Sequence, residues 1–482
     1  MDTEIEFFNT VKIAAEKLVE SLVDHKSIRL IIHSDADGIA AGAILARALS
    51  RLEIGFKVSC VNRIDESLIG SIIGDECSLI IFSDIGSGYL DVLKDRMKEK
   101  EVIVLDHHVY VEANSDNILH VNPMIQGLDA SKGVSGAGIS YFFSKEVDKK
   151  NIDLSPLGIV GALADQQDKG EKKNLLGLNC IIESDAKNSG LLETSIGLLF
   201  YGYETRPIAK AIAYTTNPFI PGLSGREDKC LAFLKEIGVE LKSEGRWRAV
   251  RDLSEEEKRK VFSALSKHMV FEGFDPKTVH ELVGTVYTFT REDPWTPMRD
   301  GREYASLLNA CARMDRPSVG LAIGLGDRNT AFNEGEAILD DYRKKVSEYL
   351  DWVRTNGNIV ELENVYLLRG DQKINDRIIG VVASILLSTG ALKKQMPLIA
   401  IAKSDGRLLK ISGRATEELA HMGVDLGSVM MKAAMNVNGR GGGHDIAAGA
   451  YIPESSEEEF LRMIDEFVGD QRKIGVHSGD KD

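Results

Sequence analysis

In the first third of the chain, apolar runs of strand length stop at acids. Ser27-Ile28-Arg29-Leu30-Ile31-Ile32-His33 leads into Ser34-Asp35-Ala36-Asp37-Gly38. Leu79-Ile80-Ile81-Phe82-Ser83 leads into Asp84, and Val102-Ile103-Val104-Leu105 into Asp106-His107-His108. Continuous apolar runs bounded by polar residues are the pattern of strands buried on both faces of a parallel sheet. Residues 39–52 and 89–99 place apolar side chains at helical spacing between them, and 56–61 suits another strand. The alternation predicts an α/β fold with a doubly wound parallel sheet, preceded by an amphipathic helix over 3–25. A Gly/Ser-rich stretch, 133–138, opens a further helix, and Asp165 closes the apolar helix 157–166. In open α/β sheets the ligand crevice lies outside the carboxyl ends of the strands, so these acids and histidines are expected to converge there.

From about residue 182 the alternation stops. Mixed, mostly helical segments follow, broken at Asn217-Pro218 and Pro221-Gly222, with a charged helix at 255–268 and a turn at Asp293-Pro294-Trp295-Thr296-Pro297. A long helix over 335–354 leads to the turn Asn356-Gly357-Asn358. The last part predicts a strand at 359–368, a helix at 379–389, strands at 397–403 and 408–412, and then a glycine run. These breaks predict three domains: 1–181, an inserted domain with its connecting helix at 182–357, and a smaller C-terminal α/β domain at 358–470. The polar tail, 471–482, is expected to be disordered.

At 482 residues the chain is too long for one core. No apolar run approaches the ~18 residues of a membrane span, and the acidic amphipathic N-terminus is no signal peptide. Five scattered cysteines without a Cys-x-x-Cys read as reduced thiols, hence an expected cytoplasmic location without membrane contact. The net charge of −15 argues against nonspecific duplex binding, but residues 369–440 reverse the balance, with 11 basic residues facing 6 acidic ones.

Asp35 and Asp37 in extended backbone would point the same way and take one metal ion each, with Gly38 turning the chain into its helix. The plainer alternative is a pair of helix-capping acids. Asp84 alone could be a strand-end turn and Asp165 alone a surface acid. Asp106-His107-His108 directly after four β-type residues is costly unless the three are ligands or paired. Together the acids repel one another unless divalent cations fill the cluster, and the mixed imidazole and carboxylate donors suit Mn²⁺ better than Mg²⁺. A shared carboxylate such as Asp84 can bridge two ions about 4 Å apart, the arrangement of two-metal phosphoester hydrolysis. Gly439-Arg440-Gly441-Gly442-Gly443-His444 lacks the Gly-Lys-Ser/Thr of a P-loop. It fits a backbone cradle for phosphate with Arg440 and His444 as donors and Arg414 as a further one, or else a flexible surface loop. No aromatic stripe for base stacking is evident in Trp247, Trp295 and Trp352.

The His-Ser-Asp-Ala-Asp-Gly, Ser-Asp-Ile-Gly-Ser-Gly, Asp-His-His and Ala-Asp segments resemble motifs I to IV of the DHH phosphoesterases. The stretch 439–449 resembles the hallmark of their C-terminal substrate-binding domain. Order and spacing are similar to the RecJ branch, including Asn122-Pro123 and Ser135-Gly136-Ala137-Gly138. Segments 205–222 and 303–326 resemble archaeal RecJ-like, GINS-associated nucleases. The resemblance implies Asp35, Asp37, Asp84, His107 and Asp165 as metal ligands. His108 would face the scissile phosphate, and Asp106 would orient His107. Asn122, Ser135, Arg414, Arg440, Gly441, Gly442, Gly443 and His444 would hold nucleic-acid phosphates. His33 is a candidate sixth ligand; it lies two residues before Asp35, where pyrophosphatase-type relatives place a ligand His four before.

The implied protein is a Mn²⁺-dependent hydrolase with two ions, Mg²⁺ being the substitute, and a catalytic cleft between its first and last domains. It would be an exonuclease on single-stranded DNA, with RNA as a second substrate, running 5′ to 3′ and releasing mononucleotides. It would serve DNA replication and repair with GINS and, through it, the MCM helicase. Competing readings are a replication scaffold, a phosphodiesterase of short oligonucleotides and, more distantly, a manganese pyrophosphatase.

Overall fold

The first apolar run becomes β1 (Ser27–His33), buried along its five inner residues. It follows the helix α1 (Asp2–Ser21). In the computed structural model the described residues are 2–21, 27–77, 79–113, 115–215, 218–274, 276–388, 392 and 395–478. They fall into two compact units, Met1–Leu339 and Asp340–Asp482.

In the first unit β1 lies between β2 (Gly55–Val61) and β3 (Leu79–Ser83), with β4 (Glu101–Leu105) and β5 (Ile118–Val121) beyond. All pairings are parallel and the order is β2-β1-β3-β4-β5. The order reverses between β1 and β3, the switch point where such sheets bind ligands. Ile32 pairs with Ser83, Ser83 with Leu105, and Leu105 with Val121. The next residues, His33, Asp84, Asp106 and Asn122, therefore stand at one level at the carboxyl edge of the sheet.

The connecting helices are α2 (Ala36–Arg51), α3 (Glu66–Ile73) and α4 (Leu90–Arg96), followed by α5 (Ala130–Gly133), α6 (Gly136–Val147) and α7 (Ser155–Ala164). α2 packs against α6 and α7. On its other side it lies close on the sheet: a Cβ on Gly42 would lie 2.5 Å from Ile32 Cδ1 of β1. The remainder of the unit holds an antiparallel pair, β6 (Leu192–Leu198) with β9 (Val283–Phe289), and a short hairpin, β7 (Lys242–Ser243) with β8 (Arg246–Trp247). The helices Ile208–Tyr214, Glu227–Glu236 and Glu255–Phe271 bury Ile212, Cys230, Leu234, Val261 and Leu265 beside them. This mixed region shares one unit with the parallel sheet, and the helix Asn179–Asn188 runs across the expected boundary at 181. Thr216 and Asn217 of the expected turn lie outside the described residues.

The helix Thr330–Asn356 carries the chain across the boundary into the second unit. There the strands are β10 (Ile359–Glu361), β11 (Tyr366–Arg369), β12 (Leu398–Ser404), β13 (Leu408–Arg414), β14 (Arg440–Gly443) and β15 (Ala447–Pro453). They form one sheet in the order β10-β11-β12-β13-β15-β14. The single strand expected over 359–368 is instead a hairpin in which Glu361 pairs with Tyr366. Its turn is held by the Asn364 N–H donating to Asp465 Oδ1 at 2.8 Å. The tail expected to be disordered from 471 continues a helix, Glu457–Ser478, which buries Phe460, Ile464 and Val468 at four-residue spacing. Residues 479–482 lie outside the described residues. Among the described residues no helix is long and apolar enough to cross a membrane.

Candidate metal centre

The strand ends of the first unit meet as their register dictates. Asp35 is the N-cap of α2, its Oδ1 accepting from Gly38 N at 2.9 Å. Asp37 already lies in the first helical turn. The two acids are thus not neighbours on extended backbone, as expected from their spacing; the helix begins between them and sends them apart. The Asp37 carboxylate crosses to the start of α6, accepting from Gly136 N at 2.7 Å and Ala137 N at 3.0 Å. A helix N-terminus offers unpaired N–H groups to an anion, so α6 fixes this carboxylate.

Asp84 follows β3 with φ 59°, a left-handed conformation tolerated by Asp more readily than by bulkier residues. Its Oδ2 lies 3.5 Å from His33 Nδ1 and its Oδ1 3.4 Å from His107 Nε2. His33 Nδ1 is 2.9 Å from Asp35 Oδ2, and His107 Nε2 is 3.2 Å from Asp165 Oδ2. Asp165 is the C-cap of α7. Three donor groups result: His33, Asp35 and Asp84; Asp37, His107 and Asp165; Asp84, His107 and His108. The donor atoms within each lie within 4.8 Å of one another. Asp84 and His107 belong to two groups each.

Both Asp84 oxygens, His33 Nδ1 and His107 Nε2 are buried and meet one another and the neighbouring carboxylates in contacts without regular hydrogen-bond geometry. Buried polar atoms normally find regular hydrogen bonds, so imidazole and carboxylate atoms gathered this closely without them fit a cation site. The titration of the acids agrees. Burial, followed by the charges of Asp84 and Asp165, raises Asp37 well above the usual carboxylate range. Burial alone would lower His107, but Asp165 and Asp84 outweigh it and hold the imidazole well above its ordinary value. Burial likewise opposes the rise at His33, where Asp35 and Asp84 prevail.

Asp106 departs from its expected role. Its Oδ1 lies 2.8 Å from His108 Nδ1 and accepts the backbone N–H of His107 at 2.8 Å, while Oδ2 accepts from Ser87 N at 2.8 Å. It therefore orients the ring of His108, not of His107. Burial would push this carboxyl up, but the His108 and His107 imidazoles and the Ser87 N–H hold it below the usual range. The His107 ring is set by the Ala130 carbonyl, 3.2 Å from Nδ1. A backbone carbonyl on one imidazole nitrogen is the usual support of a metal ligand on the other. Nothing in the sequence marks Ala130, because its contribution is a main-chain oxygen.

Asn122 and Ser135 are corrected from phosphate donors to internal struts. Asn122 is buried, its Nδ2 donating to Ser87 Oγ at 2.9 Å and to the His108 carbonyl at 2.8 Å. Ser135 is buried and caps α6. In the second unit, Arg414 is splinted against the helix Ile379–Ser388, with Nε donating to Ser384 Oγ at 2.8 Å. The glycine run is not a loop: Arg440 to Gly443 form the edge strand β14. Its glycines answer to packing, since a Cβ on Gly441 would lie 2.6 Å from Met430 O and one on Gly443 2.6 Å from Ala448 Cα; Gly442 alone faces open space. Arg414 and His444 meet at Ala447, whereas Arg440 pairs with Tyr451, four residues or about 13 Å along β15.

An α/β chain with this acid–histidine centre at its switch point matches one class of known proteins. Family profiles of the DHH family N-terminal domain, the DHH-CID domain and the DHHA1 domain match residues 27–162, 200–283 and 363–470. An uncharacterized protein of Methanocaldococcus jannaschii is 30% identical over 475 residues, 97% of this chain and 99% of that protein. The chain belongs to the DHH family, and its architecture within the family is RecJ-like. RecJ from Thermus thermophilus in complex with Mn²⁺ gives a TM-score of 0.57 at 17% identity, covering 95% of this chain but 55% of that one. CDC45 from Entamoeba histolytica gives 0.62 at 13% identity over 96% and 98% of the two chains. A prophage-derived protein of Bacillus subtilis, described as a candidate single-strand DNA-specific exonuclease, is 24% identical over 172 residues, 33% of this chain and 29% of that protein.

Proposed function

We propose that this DHH protein is a metal-dependent exonuclease on single-stranded DNA, with RNA as a second substrate, hydrolysing the terminal phosphodiester and releasing mononucleotides. The observation that carries the proposal is Asp84, whose two buried oxygens face two different donor groups, Oδ2 toward His33 and Oδ1 toward His107. His33, Asp35, Asp84, His107, Asp37 and Asp165 would hold two Mn²⁺ or Mg²⁺ ions. Bound ions would supply Lewis-acid activation of water and neutralise charge developing on the phosphate. The chain's own part is to hold that geometry. Asp106 engages Nδ1 of the partly exposed His108, which leaves Nε2 to meet a phosphate oxygen. Arg414, Arg440 and His444 would bind phosphates of the strand. The direction 5′ to 3′, roles in replication and repair, and GINS and MCM as partners follow from family resemblance alone.

Digestion of oligonucleotides labelled at the 5′ or the 3′ end, with Mn²⁺, Mg²⁺ or EDTA, tests the reading beside Asp84→Ala. Metal-dependent release of a terminal mononucleotide is expected, lost at least tenfold in the variant. Folded, Mn²⁺-loaded protein that cleaves neither DNA nor RNA would move the assignment to a scaffold or a small-substrate phosphodiesterase.

A further inference from the structure

Four apolar side chains stand in solvent on the two segments that lead away from this centre: Val109 is 58% exposed, Val111 41%, Met124 36% and Ile125 45%. They come from two segments, the chain after His108 and the 3₁₀ turn Pro123–Gln126. Both segments hang on the same pair of polar residues. The Asn122 amide donates to the His108 carbonyl and to Ser87 Oγ, and its Oδ1 accepts from Met124 N at 3.0 Å. The Val111 N–H donates to Ser87 O at 3.0 Å. Val109 is one residue, ~3.8 Å of chain, from His108.

Single apolar residues on a surface need no explanation, but a group fixed beside a polar centre does. The acids and histidines account for cations and phosphate. They offer nothing to the uncharged part of a nucleotide. We propose that Val109, Val111, Met124 and Ile125 form the contact for the nucleobase of the terminal nucleotide whose phosphate lies at the metal centre. This rests on the exonuclease reading. Aliphatic side chains make no hydrogen bonds, so the contact reads the face of a base and not its edge, and sequence is not discriminated. The face must also be uncovered. A paired base is stacked on its neighbours, so the patch favours an unpaired end, which gives a physical origin for single-strand preference.

The test compares kcat/KM on a thymidine oligonucleotide with that on the same strand carrying abasic residues at both ends. The proteins are the wild type, Val109→Ser and the double variant Met124→Ser/Ile125→Ser. In the wild type the thymidine end is expected to be about fivefold the better substrate, the lower end of what a stacked base contributes. In the variants the ratio falls toward one. Both sites are exposed, and an unchanged melting curve confirms folding. A ratio near one in the wild type, or an undiminished ratio in every variant, overturns the base contact while leaving the nuclease intact. If the wild type cleaves neither strand, the exonuclease reading itself falls, and the inference with it.

Discussion

Gly136→Ala offers a sharp test of how the centre is built. Gly136 is the first residue of α6, and helix propensity alone favours Ala there by up to ~1 kcal/mol. The site argues the opposite. A Cβ at this position would lie 2.5 Å from both Cβ and Oδ1 of Asp84 and 2.8 Å from its Cγ. Carbon contacts settle at ~3.5–4.0 Å, so something must retreat by about 1 Å. Asp84 cannot swing aside cheaply: its φ is 59° and its N–H is bound to Leu105 O at 2.9 Å. Nor can α6 move alone, because the Gly136 N–H holds Asp37 Oδ2 at 2.7 Å. Whichever yields, a carboxylate of the centre is displaced. Overpacking of this kind costs ~1–3 kcal/mol, and a 1 Å misplacement of a reacting group costs about 10²-fold in rate. Thermal unfolding, Mn²⁺ titration calorimetry and hydrolysis of a single-stranded oligonucleotide read the three effects separately. A variant as stable as wild type, with Mn²⁺ affinity and kcat within about threefold of it, would refute the close-packed arrangement.

Two further predictions concern other regions. If Arg440 holds a phosphate of the strand, as proposed, Arg440→Ala is expected to raise KM for single-stranded DNA several-fold with little change in kcat; an unchanged KM would count against it. Glu303, buried with its carboxylate bound by Glu204 N and Thr205 Oγ1, is pushed up to about 7 by burial and then by Asp300. The folded chain therefore keeps a proton that the unfolded chain loses near pH ~4.3. That stability, roughly 3 kcal/mol, is fully present below the unfolded value and lost as pH rises through about 7. Glu303→Gln should flatten the fall in melting temperature between pH 5 and 8, and an unaltered slope would dismiss the group as its source.

The centre was legible where side chains carry it and where register alone aligns them. His33 ends, and Asp84 and Asp106 follow, strands whose apolar runs could be read directly, and parallel pairing then sets them at one level. The reading failed where main-chain geometry decides. Asp35 and Asp37 looked like one extended pair because their spacing suits it, but the helix starts between them. Asp106 looked like the partner of its neighbour His107, yet a carboxylate reaching its own loop finds His108 first, and the Ala130 carbonyl takes the other ring. The glycines at 439–443 suggested a phosphate loop on composition. From Arg440 they are instead an edge strand, with Gly441 pressed against the helix Leu426–Asn436 and Gly439 and Gly443 against β15, where a Cβ would collide. Glycine marks close approach as readily to protein backbone as to a ligand, and a sequence does not separate the two.

What distinguishes this cluster from a structural one is its cost. A structural acid in a buried turn would be satisfied by hydrogen bonds, as Asp106 is by the Ser87, His107 and His108 N–H groups. Asp84 occupies left-handed backbone, is as buried as Asp106, and takes no backbone N–H; its oxygens face the His33 and His107 rings, 3.5 and 3.4 Å away. Long contacts to two imidazoles satisfy a buried carboxylate less well than N–H caps do, and left-handed backbone adds a cost of ~1–3 kcal/mol. Asparagine would carry the same turn without the charge. Retaining aspartate there, between two sets of histidine and carboxylate donors, makes sense when cations are present to be bound and offers the fold nothing when they are not.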